Sequence, residues 1–298
     1  MASMKGILLA GGSGSRLYPL TRTTSKQLLP VYDKPMIYYP LSTLMLFDIR
    51  DILIISTPRD LPNIRQLFGD GSSLGLNLQY AVQEKPEGIA QAFLIGRDFT
   101  GEDPVCLILG DNIFYINEQL ENIKKASQST ASGQATILAY HVTNPSRFGV
   151  IEFDSSFKVK SIEEKPAEPR SNFVSVGLYF FPGDVSDKAG SLRPSERGEL
   201  EITDLNNLYL KEDRLNVLPL KRGNAWLDAG TPDSLLDAGT FVQIIEKRQG
   251  LKIACLEEIA YKKGFISAQQ LAATASGLKN SNYKDYLNKV LSDEHNLY

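Results

Sequence analysis

The stretch GILLAGGSGSRL, residues 6–17, runs from an apolar segment directly into a glycine-rich turn. The uninterrupted apolar run ILLA is typical of a strand that is buried on both faces of a sheet. Glycines directly after such a strand let backbone N–H groups approach phosphate oxygens, at the edge where α/β sheets bind ligands. The stretch therefore predicts an α/β fold whose first strand ends in a phosphate-binding loop.

Strand-like and helix-like segments alternate in the first half of the chain. Apolar runs predict strands at 6–10, 52–56, 78–82, 105–109 and 135–140. Amphipathic stretches predict helices at 36–47, 61–68, 89–99 and 118–127. Alternation of this kind predicts a doubly wound sheet.

The pattern changes after Pro145. Short runs separated by turn residues predict three more strands, at 148–153, 159–163 and 174–181, as an antiparallel or mixed extension of the sheet. From Thr231 onward helix-period segments dominate, at 234–248, 257–263, 267–275 and 283–291. The predicted fold class is α/β, with a Rossmann-like doubly wound mixed sheet, an antiparallel extension and a C-terminal helical subdomain.

The composition limits the possible functions. The 32 basic and 35 acidic residues give a formal charge of -3, and neither sign forms a long block, so nucleic-acid binding has no electrostatic basis. Cys106 and Cys255 lack CxxC spacing, and only His141 and His295 are available, so any metal must be held by oxygen atoms.

Membrane and secretory signals are also missing from the sequence pattern. No apolar run reaches the roughly 18 residues that a membrane span needs, and the first residues lack a signal-peptide pattern. With so few cysteines, we expect a soluble cytoplasmic protein.

The glycine turn fits neither of the two commonest nucleotide-binding motifs. A dinucleotide fingerprint needs glycine or alanine where Leu17 stands, and the chain has no Gly-Lys-Ser/Thr sequence. Taken alone, the turn could also be a flexible connection. Arg16 favours phosphate binding because its planar guanidinium can grip a di- or triphosphate, and Lys26 adds a point charge. Together these features predict a polyphosphate site.

The longer stretch GGSGSRLYPLTRTTSKQLLPVYDKPMIYYPL, residues 11–41, resembles the nucleotide-binding signature of sugar nucleotidylyltransferases, in particular the thymidylyl-transferring branch. Five later segments resemble that family in its order: ILGDN at 108–112, FGV at 148–150, EEKP at 163–166, RGELEITD at 197–204 and WLDAGT at 226–231. The resemblance covers nearly the whole chain, and several dispersed motifs in order are far less accidental than one.

The resemblance implies an activity and an organisation. The phosphate of glucose 1-phosphate would attack the α-phosphorus of dTTP in line, giving dTDP-glucose and pyrophosphate as the first step toward dTDP-L-rhamnose. A phosphate dianion is already an adequate nucleophile, so the protein would supply alignment and charge neutralisation and no general base. The resemblance also implies a catalytic core at 1–230, an oligomerisation or regulatory region at 231–298, a homotetramer, and feedback inhibition by a dTDP-sugar.

Carried over residue by residue, the resemblance implies three groups of site residues. The nucleotide would contact Gly11, Gly12, Ser13, Gly14, Arg16, Gln27, Gln83, Gly88 and Asp111. The sugar phosphate would contact Gly149, Glu164, Lys165 and Arg197. Catalytic roles would fall to Arg16, Lys26, Asp111 and Lys165, with Lys165 positioning the nucleophile and the two other cations contacting the leaving pyrophosphate.

Two aspartates are the expected ligands of Mg2+. Asp111 follows the apolar run VCLIL at a strand's carboxyl end, and Asp228 follows Trp226 and Leu227. Mg2+ is usually bound by one or two carboxylates together with substrate phosphates and water. A single aspartate at a strand end is more often a turn or helix cap, so this assignment depends on both positions matching the family.

Several other residues in or near these motifs have an expected role of their own. Gln83 would read the base, because its amide can pair with the donor and acceptor edge of thymine or uracil. The acidic residues after Arg197 are expected to cap the following helix. Trp226 is expected to be a buried aromatic that holds the Asp228 loop, and His141 a structural polar residue. The second copy of the EKP pattern, at 84–86, receives no catalytic role.

Two other functions remain open. A UTP-dependent uridylyltransferase would use the same chemistry, and thymine differs from uracil by one methyl group, which pockets discriminate by only ~1 to 3 kcal/mol. A non-catalytic nucleotide-sensing relative would have lost a charged site residue, whereas this sequence keeps them all.

Overall fold

The computed structural model describes residues 3–292; residues 1–2 and 293–298, His295 among them, lie outside the described part. The strands are β1 (Lys5–Ala10), β2 (Pro30–Val31), β3 (Lys34–Pro35), β4 (Asp51–Ser56), β5 (Asn77–Val82), β6 (Val105–Leu109), β7 (Asn112–Tyr115), β8 (Ala135–His141), β9 (Gly149–Phe153), β10 (Val159–Glu164), β11 (Phe173–Phe181), β12 (Leu215–Pro219) and β13 (Ala225–Asp228). The helices are α1 (Tyr38–Leu46), α2 (Leu61–Phe68), α3 (Gln91–Ile95), α4 (Arg97–Thr100), α5 (Leu120–Ser127), α6 (Val185–Ser191), α7 (Ile202–Lys211), α8 (Pro232–Gln249), α9 (Leu256–Lys262), α10 (Ala268–Gly277) and α11 (Asn282–Ser292).

A mixed sheet lies at the centre of the molecule. Nine of the described strands form it, in the order β10-β9-β11-β6-β1-β4-β5, with β8 and β12 attached through β11. The neighbours β6, β1, β4 and β5 run parallel. β11 is antiparallel to β6, β8 and β9, and β10 to β9, which forms the antiparallel extension. The fold class predicted from the sequence is confirmed.

Helices cover both faces of the sheet, so each parallel strand contributes to two cores. In β1, Leu8 and Ala10 face one core, whereas Ile7 and Leu9 face the other. The first core also contains apolar side chains of α1, α2, α5, α9, α10 and α11. The second contains those of α3, α6 and α7. Burial on both faces explains why β1, β4 and β6 are largely continuous apolar runs, whereas the edge strand β5 has exposed Asn77 and Gln79.

Some predicted elements need correction. The helix predicted at 89–99 is divided into α3 and α4 at Gly96, which lies so close to the sheet that a Cβ would be 3.0 Å from Ile7 Cδ1. Glycine also weakens a helix interior, which favours a break there. The sequence analysis did not predict α6, β7, β12 or β13, which are short elements formed by tertiary contacts.

The C-terminal helices begin after Thr231. Thr231 and Ser234 form a capping box at the start of α8, in which Thr231 Oγ1 accepts from Ser234 N at 3.3 Å. Helix α8 packs against β2 and β13. Within residues 3–292, no helix is long and apolar enough to cross a membrane. The division at residue 230 stays a prediction, and the end of its second part lies outside the described residues.

Candidate active site

The carboxyl ends of three parallel strands meet at one edge of the sheet. Gly11 follows β1, Gln83 follows β5, and Asp111 follows β6 after a single glycine. The backbone N–H of Gly110 donates to the Leu9 carbonyl oxygen at 2.8 Å, which keeps the segment after β6 beside the end of β1. Residues from three separate parts of the sequence therefore converge where α/β sheets bind ligands.

The turn after β1 needs glycine at two positions. Gly12 and Gly14 have φ angles of +94° and +61°, in the region that other residues rarely adopt. A Cβ on Gly14 would lie 2.8 Å from Thr21 Cγ2. Thr21 also holds the turn, because its hydroxyl donates to the Gly14 carbonyl oxygen at 2.9 Å. Ser13, between the two glycines, is exposed at the tip of the turn.

Two glutamines lie against the start of this turn. Gln27 Nε2 donates to the Gly11 carbonyl oxygen at 3.2 Å. A Cβ on Gly11 would lie 2.1 Å from Gln83 Oε1, so a side chain there would displace the Gln83 amide. Gln83 is buried, and its Nε2 donates to Gln91 Oε1 at 2.7 Å. The two glutamines predicted to contact the nucleotide are thus brought together at the turn.

Gly88 connects this region to the segment before α7. Its φ is +105°, and a Cβ would lie 2.4 Å from the Leu200 carbonyl oxygen. The backbone N–H of Leu200 donates to the Glu87 carbonyl oxygen at 2.7 Å. Glycine is therefore required for the two segments to approach each other.

A cavity of about 710 Å³ opens beside the turn. Seven of the residues predicted for the site line it: Arg16, Asp111, Gly149, Glu164, Lys165, Arg197 and Asp228. Lys26 reaches the same place through an ion pair with Asp111. The cavity therefore joins Arg16 and Asp111, predicted for the nucleotide, to the residues predicted for the sugar phosphate. The other residues predicted for the nucleotide are not among its lining residues: Gly11, Gly12, Ser13, Gly14, Gln27, Gln83 and Gly88.

Asp111 is the most tightly held carboxylate of the cavity. Its side chain is 14% exposed, its Oδ2 is ion-paired with Lys26 Nζ, and its Oδ1 accepts from Asn112 Nδ2 at 2.9 Å. Burial alone would raise the pKa of Asp111, but the positive charge of Lys26 outweighs that effect, and the pKa lies below its usual range. Asp111 is therefore a carboxylate at neutral pH.

Asp228 lies beside Asp111 because β13 pairs with β7. In that pairing Asp228 is opposite Asn112, and the backbone N–H of Ala229 donates to the Asp111 carbonyl oxygen at 3.1 Å. Burial raises the pKa of Asp228, and the nearby negative charge of Asp111 raises it further, while Arg147 acts in the opposite direction. The Arg147 guanidinium is 3.7 Å from the Asp228 carboxylate.

The two aspartates suit a hard cation whose remaining ligands come from the substrate. They are adjacent oxygen donors with little exposure to solvent, and the ammonium of Lys26 already shows that a positive charge is held there. In the part of the chain that the structure describes, no group of three or more histidine, cysteine, aspartate or glutamate side chains could hold a metal. A metal bound here would take its remaining ligands from phosphate and water.

The two-stranded sheet of β7 and β13 is fixed by Asn112. Its Oδ1 accepts from Trp226 Nε1 at 2.6 Å and from the backbone N–H of Gly177 at 3.1 Å. Trp226 is buried and packs edge-on against Tyr140 and Phe148. The tryptophan thus supports the strand that carries Asp228, as the sequence interpretation proposed.

The opposite wall of the cavity carries Glu164 and Lys165. Glu164 Oε2 accepts from Thr203 Oγ1 at 2.5 Å, and Lys165 Nζ is 3.3 Å from Glu164 Oε1. Lys165 has a φ of +46° and about two-fifths of its side chain is exposed. A Cβ on Gly149 would be 2.9 Å from Thr203 Oγ1, so Gly149 leaves room for this group.

The predicted helix cap after Arg197 is wrong. Glu201 occupies the N-cap position of α7, but its side chain makes no capping hydrogen bond. Both of its carboxylate oxygens instead accept from Arg197 Nη2, at 2.8 Å each. The same guanidinium is 3.6 Å from Glu164. The acidic residues Glu199 and Glu201 therefore hold Arg197 at the cavity by charge-assisted contacts.

Two predicted side chains differ in their relation to the cavity. The Arg16 guanidinium lies at the cavity against Gly230, where a Cβ would be 2.9 Å from its Nη2. His141 lies at the end of β8, exposed and edge-on to Phe173, and is not among the cavity's lining residues.

The family of this chain follows from its sequence over the same region. A family model described as "Nucleotidyl transferase" matches residues 5–244, which include every residue of the cavity. The chain belongs to the nucleotidyl transferase family. Members of this family generally use a divalent metal ion, in agreement with the paired aspartates.

Relatives within the nucleotidyl transferase family match almost the whole chain. The glucose-1-phosphate thymidylyltransferase of Neisseria meningitidis is 54% identical over 97% of this chain and 99% of its own length. That of Mycolicibacterium smegmatis is 56% identical over 98% of this chain and 100% of its own.

Two solved structures have the same fold as this chain. A crystal structure from Bacillus anthracis, described as a thymidylyltransferase of the same kind in complex with sucrose, has a TM-score of 0.74 at 42% identity and covers 80% of this chain and 95% of that one. A UDP-glucose pyrophosphorylase complexed with UDP-glucose has a TM-score of 0.72 at 23% identity, covering 83% of this chain and 100% of that one, and shows the shared fold alone.

The cavity of this nucleotidyl transferase also contains residues that the sequence analysis missed. Arg147, Asn112 and Thr203 all line it and bond to predicted site residues. Each stands inside or directly beside a segment that resembles the family, which was the available signal. Their roles come from partners far away in sequence.

Proposed function

We propose that this chain transfers a thymidylyl group from dTTP to glucose 1-phosphate and releases pyrophosphate. The observation that carries the proposal is the convergence of Arg16, directly after the glycine turn, with the Asp111–Asp228 pair and Lys165 on one cavity. The thymidylyltransferases of Neisseria meningitidis and Mycolicibacterium smegmatis support the choice of substrates.

On the donor side, the protein holds a triphosphate. The backbone N–H groups of the turn at 11–14 and the guanidinium of Arg16 are suited to phosphate oxygens. Lys26 lies deeper, on Asp111, and adds a second positive charge on the side of the leaving pyrophosphate. Beside the turn, Gln27, Gln83 and the backbone of Gly88 would face the base.

On the acceptor side, Lys165 is the cation that would position the phosphate of the sugar. Its half-exposed ammonium can leave Glu164, because the two groups are only loosely paired at 3.3 Å. Glu164 is fixed by Thr203 and can then accept hydrogen bonds from sugar hydroxyls. Arg197 and Gly149 complete this side of the cavity.

Asp111 and Asp228 would hold Mg2+, which supplies charge neutralisation between the phosphates. The reaction requires no general base from the protein, since the attacking phosphate is an anion. Placing two bound anions in line can contribute up to ~7 to 11 kcal/mol in favourable intramolecular models. The residues on the donor and acceptor sides are therefore proposed to act by aligning the two substrates.

The resemblance to the thymidylyl branch supports three further proposals about the whole protein. It would act in the cytoplasm at the first step toward dTDP-L-rhamnose, form a homotetramer, and be inhibited by a dTDP-sugar at a second site. The helical region at 231–298 would carry the oligomeric or regulatory contacts.

A substrate panel tests the proposed function. Pyrophosphate release is measured with dTTP, UTP, ATP and GTP against glucose, galactose and mannose 1-phosphates, with and without Mg2+. We expect the highest kcat/KM for dTTP with glucose 1-phosphate and no release without metal. A higher kcat/KM with UTP would establish the uridylyltransferase alternative, and no release from any pair would establish a non-catalytic relative.

A further inference from the structure

Both aspartates of the proposed metal site face a basic side chain of the protein itself. Lys26 is ion-paired with Asp111, and Arg147 lies 3.7 Å from Asp228. The two pairs differ in tightness. Lys26 and Asp111 are 16% and 14% exposed, so solvent screens their attraction poorly, whereas the Arg147 side chain is 46% exposed. Lys26 is therefore the stronger internal cation.

The Lys26 ammonium occupies the oxygen that a metal would need. Asp111 Oδ1 already accepts from Asn112, which also holds Trp226 and cannot easily turn away. The remaining oxygen, Oδ2, is the one bonded to Lys26. Two cations on one poorly solvated carboxylate repel each other strongly, so a metal and Lys26 compete for Asp111.

Lys26 is placed so that its side chain has a second possible partner, a phosphate bound at the glycine turn. It opens the short helical turn Lys26–Leu28, next to Gln27, which bonds the glycine turn at Gly11. Its long side chain can thus move from Asp111 toward phosphates that are bound at the same turn. The phosphates would offer a charge-assisted hydrogen bond in exchange for the one that Lys26 gives up.

We propose that Lys26 is a stand-in cation that closes the metal site until a nucleotide draws it away. Metal and nucleotide would then bind with positive coupling, each strengthening the other, as linkage requires. This inference rests on the proposed function, since it takes Asp111 as a metal ligand. It goes further by assigning Lys26 a role in the nucleotide-free protein and a position that changes during binding.

The test measures metal binding without any substrate. Mn2+, which reports its free concentration by electron paramagnetic resonance, is titrated into the nucleotide-free wild-type protein and into Lys26→Met. We expect Lys26→Met to bind Mn2+ about tenfold more tightly or better, because a unit charge in contact with the site has been removed. Lys26→Gln provides a second neutral variant if the methionine variant does not fold.

Lys85→Met is the matched control, because it removes the same charge from an exposed position that is not among the cavity's lining residues. Its removal should change Mn2+ affinity by less than about threefold. Lys26 variants that bind Mn2+ no better than wild type would overturn the proposal, as would an equal gain in Lys85→Met. Pyrophosphate release by the wild-type enzyme tests the proposed function separately, since a stand-in role can fail in an enzyme that is fully active.

Discussion

Asp111 and Asp228 are neighbours with opposite ionisation behaviour. Burial acts on both, but Asp111 has Lys26 in direct contact, whereas Asp228 has the more distant Arg147 and Arg16 and also feels the negative charge of Asp111. One pKa is lowered and the other is raised. A divalent cation bound between them would stabilise the ionised form of both carboxylates. A metal site that is completed by substrate requires such a response.

Lys165 should matter mainly for the sugar phosphate. Replacing it with alanine removes a cation that faces the acceptor side, while Arg16 and the glycine turn remain. We expect Lys165→Ala to lower kcat/KM for glucose 1-phosphate by about ten- to hundredfold, mostly through KM, as for the loss of one charge-assisted hydrogen bond. Steady-state kinetics with each substrate varied in turn measures this.

The matched control for Lys165→Ala is Lys85→Ala. Lys85 stands in the second EKP copy and is not among the cavity's lining residues. Its loss should leave both KM values unchanged. A KM increase for dTTP alone in Lys165→Ala would contradict the assignment to the acceptor side.

Site residues could be predicted where a local segment carries the signal. Asp111 ends a buried strand, and Lys165 lies in a distinctive charged turn. Arg147 and Thr203 could not be assigned, because their partners, Asp228 and Glu164, are 81 and 39 positions away in sequence. Their roles depend on tertiary contacts. The same reason explains the wrong expectation for Glu201, whose carboxylate turned to Arg197.

At the scale of elements, the site depends on contact between the segment after β5 and the segment before α7. Gly88 and Leu200 touch through their backbones, and the hydrogen bond from Leu200 to Glu87 holds them together. One segment carries Gln83 and the other carries Arg197 and Thr203. The contact therefore connects the segment predicted to bind the nucleotide to the segment predicted to bind the sugar phosphate.

Gly88→Ala should disturb this contact. Its Cβ would lie 2.4 Å from a backbone atom, which cannot move as a side-chain end could. We expect Gly88→Ala to lower the free energy of unfolding by about 2 kcal/mol more than Gly69→Ala does. Gly69 shares a positive φ, at +58°, but has nothing within 4 Å of its would-be Cβ. Urea unfolding of both variants gives the comparison, and equal losses would show that backbone conformation alone is responsible.

The predicted elements are most accurate where burial leaves a clear pattern. The strands predicted at 52–56, 78–82 and 105–109 agree with β4, β5 and β6 to within one residue. Both faces of β4 and β6 are apolar, whereas the edge strand β5 has an exposed Gln79 within a short apolar run. The short β7 and β13 were missed, since their pairing depends on Asn112 and Trp226 meeting across 114 positions of sequence. The local sequence around either residue does not indicate that contact.

At the scale of the whole molecule, a buried ion network ties the N-terminal half to the C-terminal helices. Lys34, in β3, is 3.0 Å from Glu246, in α8, and is 3% exposed. Asp33 is ion-paired with both Lys34 and Lys252. Lys252 also lies over the rings of Tyr283 and Tyr286, in α11. The network therefore connects elements that the predicted division at residue 230 would separate.

Breaking this network should cost more than breaking a surface pair. Lys34→Met leaves Glu246 buried with a weaker partner, Lys252 at 3.4 Å, and we expect a loss of about 3 to 5 kcal/mol in the free energy of unfolding. Lys158→Met, at an exposed pair with Asp213, is the control and should stay close to wild type. Urea unfolding measures both, and a Lys34→Met protein as stable as the control would contradict this role.

Asp33 gives the network a pH dependence. Burial alone would raise the pKa of Asp33, but Lys252 and Lys34 outweigh it, so the pKa in the folded protein lies below its ordinary value. The stabilisation is then present above the unfolded pKa of about 3.9 and is lost as the pH falls through the folded pKa. We expect Asp33→Asn to be about 1 to 2 kcal/mol less stable at pH 7 and to approach wild type near pH 3.

Urea unfolding of wild type and Asp33→Asn at pH 7, 5 and 3 checks the sign of this effect. Asp213→Asn, at an exposed carboxylate, should show no such trend. A stability difference that grows as the pH falls would mean that Asp33 does not carry the network's charge.

In the proposed reaction this cavity joins dTTP to glucose 1-phosphate, and Asp111 is an essential carboxylate. The most direct measurement is 31P NMR of both substrates with wild type and with Asp111→Asn over a range of Mg2+ concentrations. We predict that wild type forms dTDP-glucose and pyrophosphate in equal amounts, and that Asp111→Asn turns over at least ~100-fold more slowly at saturating substrate. Near-normal turnover by Asp111→Asn, or release of phosphate from dTTP without glucose 1-phosphate, would contradict the account.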